Sequence, residues 1–319
     1  MSLKIAIQMD SIANIDLDGD STFVLGLEAQ KRGYTLYHYL PTALWLEDGK
    51  LKARANRLEL RREPGNHYTL GAYEILDLKI DVDMILLRQD PPFDMAYITN
   101  THLLEHVMHD TLVLNNPVEV RNAPEKLLVT HFQDLTPPTL ITNDPTAITE
   151  FYAKHKDIIL KPLYGNGGSQ IIRVEEHSEN LKALIEMFET LYREPIIAQR
   201  YLPAVREGDK RIILIDGEPA GAVLRVPAKG ESRSNLHVGG TPVKTQLTER
   251  EKDICALIGP ELKKRGLVFV GIDVIGDYLT EINVTSPTGL QQINALDGVC
   301  LEALLWDAFE ARYKDFAHG

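Results

Sequence analysis

The chain has 319 residues, enough for two domains, and its 44% hydrophobic and 25% charged content is ordinary for a globular protein. A formal net charge of −12 argues against a general nucleic-acid surface and against an anionic-membrane surface. Two cysteines without a CxxC spacing give no basis for a disulfide framework or a thiolate metal site. A strand pattern begins at the first residues, with no signal peptide and no apolar run of membrane-spanning length, so a cytoplasmic location is expected.

The first 121 residues alternate strand and helix patterns, which predict a parallel α/β sheet. Strands are predicted at 3–9, 35–40, 81–93 and 111–117, and helices at 21–33 and 95–110. Ser21 is the predicted cap of the first helix. Ligands of parallel sheets bind beyond the carboxyl ends of the strands, where residues 10–16 and 88–94 fall.

The pattern changes near residue 122, and antiparallel signals follow towards the C-terminus. Strands are predicted at 136–143, on both sides of a glycine loop within 157–174, at 195–203, and in hairpins at 209–227 and 269–287. Helices are predicted from about 121, and at 145–156, 180–192, 248–265 and 298–314. The chain is therefore expected to continue as α+β subdomains.

The last hairpin, "FVGIDVIGDYLTEINVTSP", places Asp273, Glu281 and Asn283 among apolar strand residues. Glu281 and Asn283 are two residues apart and share one strand face. Asp273 joins that face only if the turn holds an odd number of residues or the hairpin contains a bulge. Two carboxylates and an amide suit Mg²⁺ that bridges substrate phosphates. The alternative is a pair of solvated carboxylates on a polar strand face.

A strand also delivers Lys161 to a glycine loop. The loop residues that fit a phosphate site are Gly165, Gly167, Gly168 and Ser169. Glycines allow backbone N–H groups to converge on a phosphate, and a lysine ammonium neutralises its charge. No Walker A motif occurs, so a β-hairpin flap over a nucleotide is expected, with an ordinary glycine-rich turn as the alternative.

Basic residues form the third group, in an otherwise acidic chain. They are Lys126, Lys161, Arg211, Arg225 and Arg233. Guanidinium groups bind phosphate and carboxylate bidentately. Surface ion pairs are the alternative for any one of these residues, but a less satisfactory explanation for all of them.

These three groups, in this order, resemble the ATP-grasp superfamily and, within it, the bacterial glutathione synthetases. The most specific matching stretches are "LLRQDPPFD" (86–94), "GDKRI" (208–212) and "TEINVTSPT" (280–288). The resemblance covers nearly the whole chain. It implies an N-terminal parallel-sheet (pre-ATP-grasp) domain at 1–121, followed by ATP-grasp α+β subdomains with antiparallel sheets at 122–203 and 204–319.

The resemblance implies an enzyme that ligates γ-glutamylcysteine to glycine, forming glutathione, ADP and phosphate through an acyl phosphate. ATP and Mg²⁺ are the implied cofactors, with Mn²⁺ as a possible replacement. A homo-oligomer, in the form of a tetramer, is implied as well, with neither nucleic acid nor membrane as a partner. Two alternatives remain: an ATP-grasp ligase for another carboxylate and amine, and a noncatalytic nucleotide-binding protein.

The resemblance also assigns roles to residues. ATP is expected at Lys126, Lys161, Gly165, Gly167, Gly168, Ser169, Gln199, Tyr201, Leu202 and Asp209. The metal is expected at Asp273, Glu281 and Asn283, where metal and triphosphate would compensate the carboxylates. γ-Glutamylcysteine is expected at Ser11, Asn14, Ile15, Asn283 and Ser286. The expected catalytic residues are Arg211, Arg225 and Arg233, the last within a lid loop at 228–241.

A second motif points to a different chemistry. His102, Glu105 and His106 match HxxEH, an inverted zinc-protease pattern, on a predicted helix. The preferred explanation is a helix with surface histidines, since no downstream carboxylate ligand stands out. Activity in Mg²⁺ buffer without zinc would separate the two.

Overall fold

The structure, a computed structural model, describes residues 2–228 and 239–318. Within these ranges the chain forms a mixed sheet followed by two antiparallel sheets, with helices packed on them. The predicted fold class is thereby confirmed. Arg233 and most of the predicted lid loop lie outside the described residues. No helix in the described ranges is long and apolar enough to cross a membrane.

The first sheet has the strand order β3-β4-β2-β1-β6-β7, with β5 paired to β4. Its strands are β1 (Lys4–Gln8), β2 (Thr35–Tyr39), β3 (Leu44–Glu47), β4 (Lys50–Leu60), β5 (Tyr68–Asp77), β6 (Met84–Leu87) and β7 (Leu112–Leu114). The predicted strands β1, β2, β6 and β7 are parallel. The antiparallel strands β3 to β5 were not predicted. The helices of this part are α1 (Ser21–Lys31), α2 (Met95–Glu105) and α3 (Pro117–Arg121).

The second sheet is antiparallel and has the order β10-β9-β11-β8. It consists of β8 (Thr139–Thr142), β9 (Ile158–Pro162), β10 (Ile172–Val174) and β11 (Ile196–Arg200). Helices α4 (Pro145–His155) and α5 (Leu181–Leu191) accompany it. A separate hydrophobic cluster that includes Ile148, Leu160 and Phe188 forms its core.

The third sheet is antiparallel and has the order β14-β13-β12-β15-β16. Its strands are β12 (Asp209–Ile215), β13 (Glu218–Val226), β14 (Thr241–Lys244), β15 (Phe269–Ile275) and β16 (Tyr278–Asn283). Helices α6 (Glu249–Lys264), α7 (Leu290–Asp297) and α8 (Leu301–His318) complete the chain. One hydrophobic cluster contains Ile5, Ile213 and Trp306, so the first and third sheets share a core.

Three local predictions were wrong. Asp20, not Ser21, caps α1, because its carboxylate accepts a 2.7 Å bond from the Phe23 N–H. The helix predicted from about residue 121 is replaced by 3₁₀ turns, since Pro124 disfavours a helical residue before it and cannot donate a backbone bond. The final helix begins three residues late, after the separate α7 and its left-handed cap Gly298.

Candidate active site

A cleft opens between the second and third sheets. Every residue predicted to bind ATP lines it: Lys126, Lys161, Gly165, Gly167, Gly168, Ser169, Gln199, Tyr201, Leu202 and Asp209. The carboxylates of Asp273 and Glu281 also line it. Small-molecule sites are commonly found in such clefts between domains. Residues from five separate stretches of the chain thus converge on one concave surface.

The hairpin of β15 and β16, which we call the metal hairpin after its predicted role, contains the bulge on which that prediction depended. The turn at Gly276 and Asp277 has two residues, but Thr280 is an extra residue that shifts the register between Asp273 and Val274. Asp273 consequently lies directly opposite Glu281. Asn283 is opposite Gly271, and its Nδ2 lies 3.4 Å from Asp273 Oδ2. The three oxygen-bearing side chains meet the donor preference of a divalent cation such as Mg²⁺.

Two arginines compensate the buried charge of Asp273. Arg211 donates from Nε to Oδ1 at 2.5 Å and from Nη2 to Oδ2 at 2.9 Å. Arg225 Nη2 lies 2.9 Å from Oδ1 and also pairs with Asp209. Burial alone would raise the pKa of Asp273, but Arg211 and Arg225 together hold that pKa well below its usual value. Arg211 and Arg225 therefore already neutralise the buried charge of Asp273, a role that the resemblance had assigned to metal and triphosphate.

The two lysines of the cleft differ in their surroundings. Lys126 contacts the carboxylate of Glu125, lies 3.3 Å from Glu281 Oε1 and donates a 2.6 Å bond to the Gly165 carbonyl. Burial opposes its charge, yet Glu281 and Glu125 raise the pKa of Lys126. Lys161 is only 6% exposed, and burial lowers its pKa. Within residues 2–228 and 239–318, the Lys161 ammonium has no hydrogen-bond or ion-pair partner. An anionic ligand would supply that partner.

The glycine loop requires its glycines at specific positions. Gly167 and Gly168 have φ values of 60° and 75°, a left-handed backbone that glycine adopts without strain. A Cβ atom at Gly165 would lie 2.5 Å from Pro162 Cγ. The loop therefore approaches the end of β9 closely, and a side chain at position 165 would not fit there without a shift.

The end of β11 forms the predicted adenine region. Gln199 Nε2 donates to Thr139 Oγ1 at 2.8 Å, which fixes the side chain against β8. Arg173 stacks over the Tyr201 ring, with 3.9 Å from Cζ to the ring centroid. Arg200 donates a 2.9 Å bond to the Tyr278 hydroxyl and so connects β11 with β16 across the cleft. Gln199 and Tyr201 are therefore held by contacts within the second sheet, and the neighbouring Arg200 links that sheet to the third.

None of the residues predicted to bind γ-glutamylcysteine lines the cleft: Ser11, Asn14, Ile15, Asn283 and Ser286 all lie outside its lining. Ser11, Asn14 and Ile15 lie at the 3₁₀ turn that follows β1, beyond the carboxyl end of the first sheet. Ser286 follows the metal hairpin, in a segment that Arg88 connects to the first sheet through a 3.0 Å bond to the Pro287 carbonyl. Arg88, which directly follows the apolar strand β6, was not named among the predicted site residues.

The HxxEH motif is divided by the end of α2. The helix ends at Glu105, and His106 is its C-cap. Glu105 pairs with Arg121, while His102 is 58% exposed and lies 3.3 Å from Glu105. In the described part of the chain, no group of three histidine, cysteine or carboxylate side chains is arranged to hold a metal. These contacts account for Glu105 without a zinc ion.

Comparisons with known proteins agree with this geometry. The family models "Prokaryotic glutathione synthetase, N-terminal domain" and "Prokaryotic glutathione synthetase, ATP-grasp domain" match residues 3–121 and 125–298. A "Glutathione synthetase" from Brucella melitensis biotype 1 is 58% identical, covering 98% of this chain and 100% of the relative. One from Mesorhizobium japonicum is 57% identical, with the same two coverages.

Solved structures support the fold independently. D-cycloserine synthetase DcsG matches with a TM-score of 0.68 at 15% identity, covering 97% of this chain and 99% of that one. The ATP-grasp ligase PsnB, complexed with a minimal precursor, matches with a TM-score of 0.65 at 20% identity, covering 98% and 99%. With both family models matched along its length, the chain belongs to the prokaryotic glutathione synthetase family of ATP-grasp proteins.

Proposed function

We propose that the chain ligates γ-glutamylcysteine to glycine with the hydrolysis of ATP, producing glutathione, ADP and phosphate. The observation that supports this proposal is the cleft lined both by the residues predicted to bind ATP and by Asp273 and Glu281. Relatives at up to 58% identity that bear the name "Glutathione synthetase" support the choice of substrates. The assignment to another ATP-grasp ligase is not favoured by these relatives.

ATP is proposed to lie along the cleft, with its adenine at Gln199, Tyr201 and Leu202 and its ribose at Asp209. Lys126, Lys161 and the glycine loop would hold the phosphates. Asp273, Glu281 and Asn283 would hold the divalent metal, proposed as Mg²⁺ with Mn²⁺ as a substitute. When bound, the metal supplies positive charge that neutralises the phosphate oxygens.

The proposed reaction has two steps. A cysteinyl carboxylate oxygen bonds to the γ-phosphorus, the bond between that phosphorus and the β,γ-bridging oxygen breaks, and ADP leaves. The glycine amine then attacks the acyl carbon, phosphate leaves with its electron pair, and the amine loses a proton to solvent. Such phosphoryl transfer depends on positioning and charge neutralisation rather than on a protein nucleophile. Arg211 and Arg225, held in place by Asp273 and Asp209, are proposed to stabilise the transferring phosphoryl group.

The remaining assignments also stay proposals. Arg233 would act from a lid at 228–241 that protects the acyl phosphate from water, but it lies outside the described residues. Ser11, Asn14, Ile15, Asn283 and Ser286 would contact γ-glutamylcysteine. We further propose the domain division 1–121, 122–203 and 204–319, a homo-oligomer in the form of a tetramer, and a cytoplasmic location.

Phosphate release with ATP and Mg²⁺ tests the substrate assignment. We expect release only when γ-glutamylcysteine and glycine are both present, with one glutathione formed per phosphate. Each substrate alone, and dipeptides with an α-linked glutamate, serve as controls. Release with other acid and amine pairs but not with this pair would indicate an ATP-grasp ligase with different substrates. No release with any pair, despite ATP binding, would instead favour a noncatalytic protein.

A further inference from the structure

Asn115 connects the first sheet to the metal hairpin. It follows β7 directly and is 5% exposed. Strand β7 pairs in parallel with β6, so Asn115 lies at the carboxyl edge of the sheet, close to Arg88. Its side chain reaches across to β15 and to the end of β16. This edge of a parallel sheet is where ligands of such folds bind.

The side-chain amide of Asn115 uses its full hydrogen-bonding capacity. Nδ2 donates to the carbonyls of Phe269 and Val284, at 2.8 and 2.9 Å. Oδ1 accepts from the N–H groups of Val268 and Phe269, at 2.8 and 2.9 Å. A primary amide offers two donors on one side and one oxygen acceptor on the other, so no other small side chain satisfies all four backbone groups.

These four bonds continue the ladder of the metal hairpin where its own pairing stops. The last paired residues of β15 and β16 are Gly271 and Asn283. Beyond them, Asn115 bridges the strands through the carbonyls of Phe269 and Val284. Val284 is the neighbour of Asn283, so the amide fixes the direction in which the chain leaves the hairpin.

The same segment is held at two further carbonyls. Arg88 Nη2 donates to the Pro287 carbonyl at 3.0 Å, and its guanidinium lies 4.8 Å from the centroid of the Phe269 ring. Arg211 Nη1 donates to the Thr288 carbonyl at 3.1 Å. Buried polar groups are costly to leave unpaired, so three donors on three carbonyls define one backbone path for residues 284–288.

We propose that Asn115 is a positioning residue for the acyl-donor dipeptide, because its amide holds the Val284 carbonyl at the start of the segment 284–288. This inference rests on the proposed function, in which Asn283 and Ser286 contact γ-glutamylcysteine. Asn115 touches no reacting atom and acts only through this segment. The ATP residues of the second sheet lie elsewhere and do not depend on it.

The test compares the substrate dependence of Asn115→Asp with that of the wild-type protein. In this variant a carboxylate oxygen faces two carbonyl oxygens, which repels the Val284 carbonyl. We expect KM for γ-glutamylcysteine to rise about tenfold, equivalent to about 1.4 kcal/mol. The turnover number and the Kd for ATP should both change by less than about threefold, because only binding of the acyl donor is weakened.

Two further variants keep the interpretation clear. Asn115→Ser removes the same bonds without introducing a charge and should raise the same KM. Thr111→Val is the matched control: Thr111 Oγ1 donates a buried 2.7 Å bond to the Leu78 carbonyl at the opposite end of β7. The Thr111→Val substitution should lower the melting temperature without raising the KM for γ-glutamylcysteine.

Wild-type turnover with γ-glutamylcysteine and glycine is measured first, since its absence would overturn the proposed function rather than the role of Asn115. An unchanged KM for γ-glutamylcysteine in both Asn115 variants would overturn the positioning role. An equal rise in the Kd for ATP would overturn it as well. Failure of both variants to fold, judged by circular dichroism, would assign Asn115 to the fold alone and would also reject the proposal.

Discussion

Replacing Glu281 by glutamine is expected to lower metal-dependent turnover by roughly 1,000-fold, comparable to the loss of a key charge-stabilising group in other enzymes. The substitution keeps the shape of the side chain but removes the charge proposed to hold the divalent metal opposite Asp273. The fold should survive, since Lys126 retains Glu125 and the Gly165 carbonyl as partners. ADP formation measured over a range of Mg²⁺ concentrations checks the result.

Glu59→Gln provides the matched control for that substitution. Glu59 is an exposed strand glutamate on β4, in a different sheet from the cleft. We expect its activity and its Mg²⁺ dependence to equal those of the wild-type protein. Wild-type turnover by Glu281→Gln at the same Mg²⁺ concentration would reject the metal assignment.

Replacing Lys161 by methionine is expected to stabilise the nucleotide-free protein while it weakens ATP binding. The buried ammonium costs folding free energy, since burial disfavours its charged form. Removal of a charge-assisted bond to phosphate should weaken ATP binding by about tenfold to a hundredfold. Thermal unfolding with and without ATP measures both effects, and the variant should show a higher melting temperature with a smaller increase on ATP addition.

The pH dependence gives the stabilisation a second test. Because the pKa of Lys161 is lowered in the fold, the unfolded chain binds more protons between the two pKa values, and wild-type stability rises with pH there. The advantage of the methionine variant should be complete below the folded pKa and should shrink as pH approaches about 10.4, the ordinary lysine value.

Lys126→Met is the control for the lysine prediction. It removes a charge that is already paired, and it leaves Glu125 and Glu281 without their shared partner. We therefore expect a loss of about 1–3 kcal/mol in the free energy of unfolding, the opposite sign to Lys161→Met. A lower melting temperature for both variants would contradict the distinction between the two lysines.

Local patterns singled out Lys161, the glycine loop, Asp273 and Glu281, and the structure brings all of them together in one cleft. Glycines after Lys161, and carboxylates within an apolar hairpin, depart from what their strands would otherwise require. The position of Asp273 was predicted only conditionally, since a bulge at Thr280 depends on the pairing of the strands. The sequence contained the components of the site but not their register.

Contacts between distant strands were beyond sequence reasoning. Arg211 lies opposite Asp273, and Arg225 lies opposite Asp209, only because β12 pairs with β15 on one side and β13 on the other. Asn115, in the polar run that follows β7, gave no sign that its amide reaches β15. Long-range pairing of this kind has no signature in local periodicity.

Strand β4 was not predicted for a different reason, which lies in its own pattern of buried residues. Its buried residues alternate at Leu51, Ala53 and Ala55, and then resume at Leu58 and Leu60. A register shift between Asn56 and Leu58 changes the parity of the pattern. With two alanines among lysines and arginines, neither half is long or apolar enough to predict a strand alone.

The central claim is that ATP phosphorylates the cysteinyl carboxylate of γ-glutamylcysteine. Transfer of carboxylate oxygen into the released phosphate tests this claim most directly. γ-Glutamylcysteine carrying ¹⁸O in its cysteinyl carboxylate is incubated with the wild-type protein, ATP, Mg²⁺ and glycine, and the phosphate is examined by mass spectrometry. Attack by the carboxylate on the γ-phosphorus predicts one ¹⁸O atom in each phosphate and one glutathione per phosphate. Phosphate that forms without ¹⁸O, at the same rate with or without glycine, would mean that water attacks ATP and would contradict the ligase mechanism.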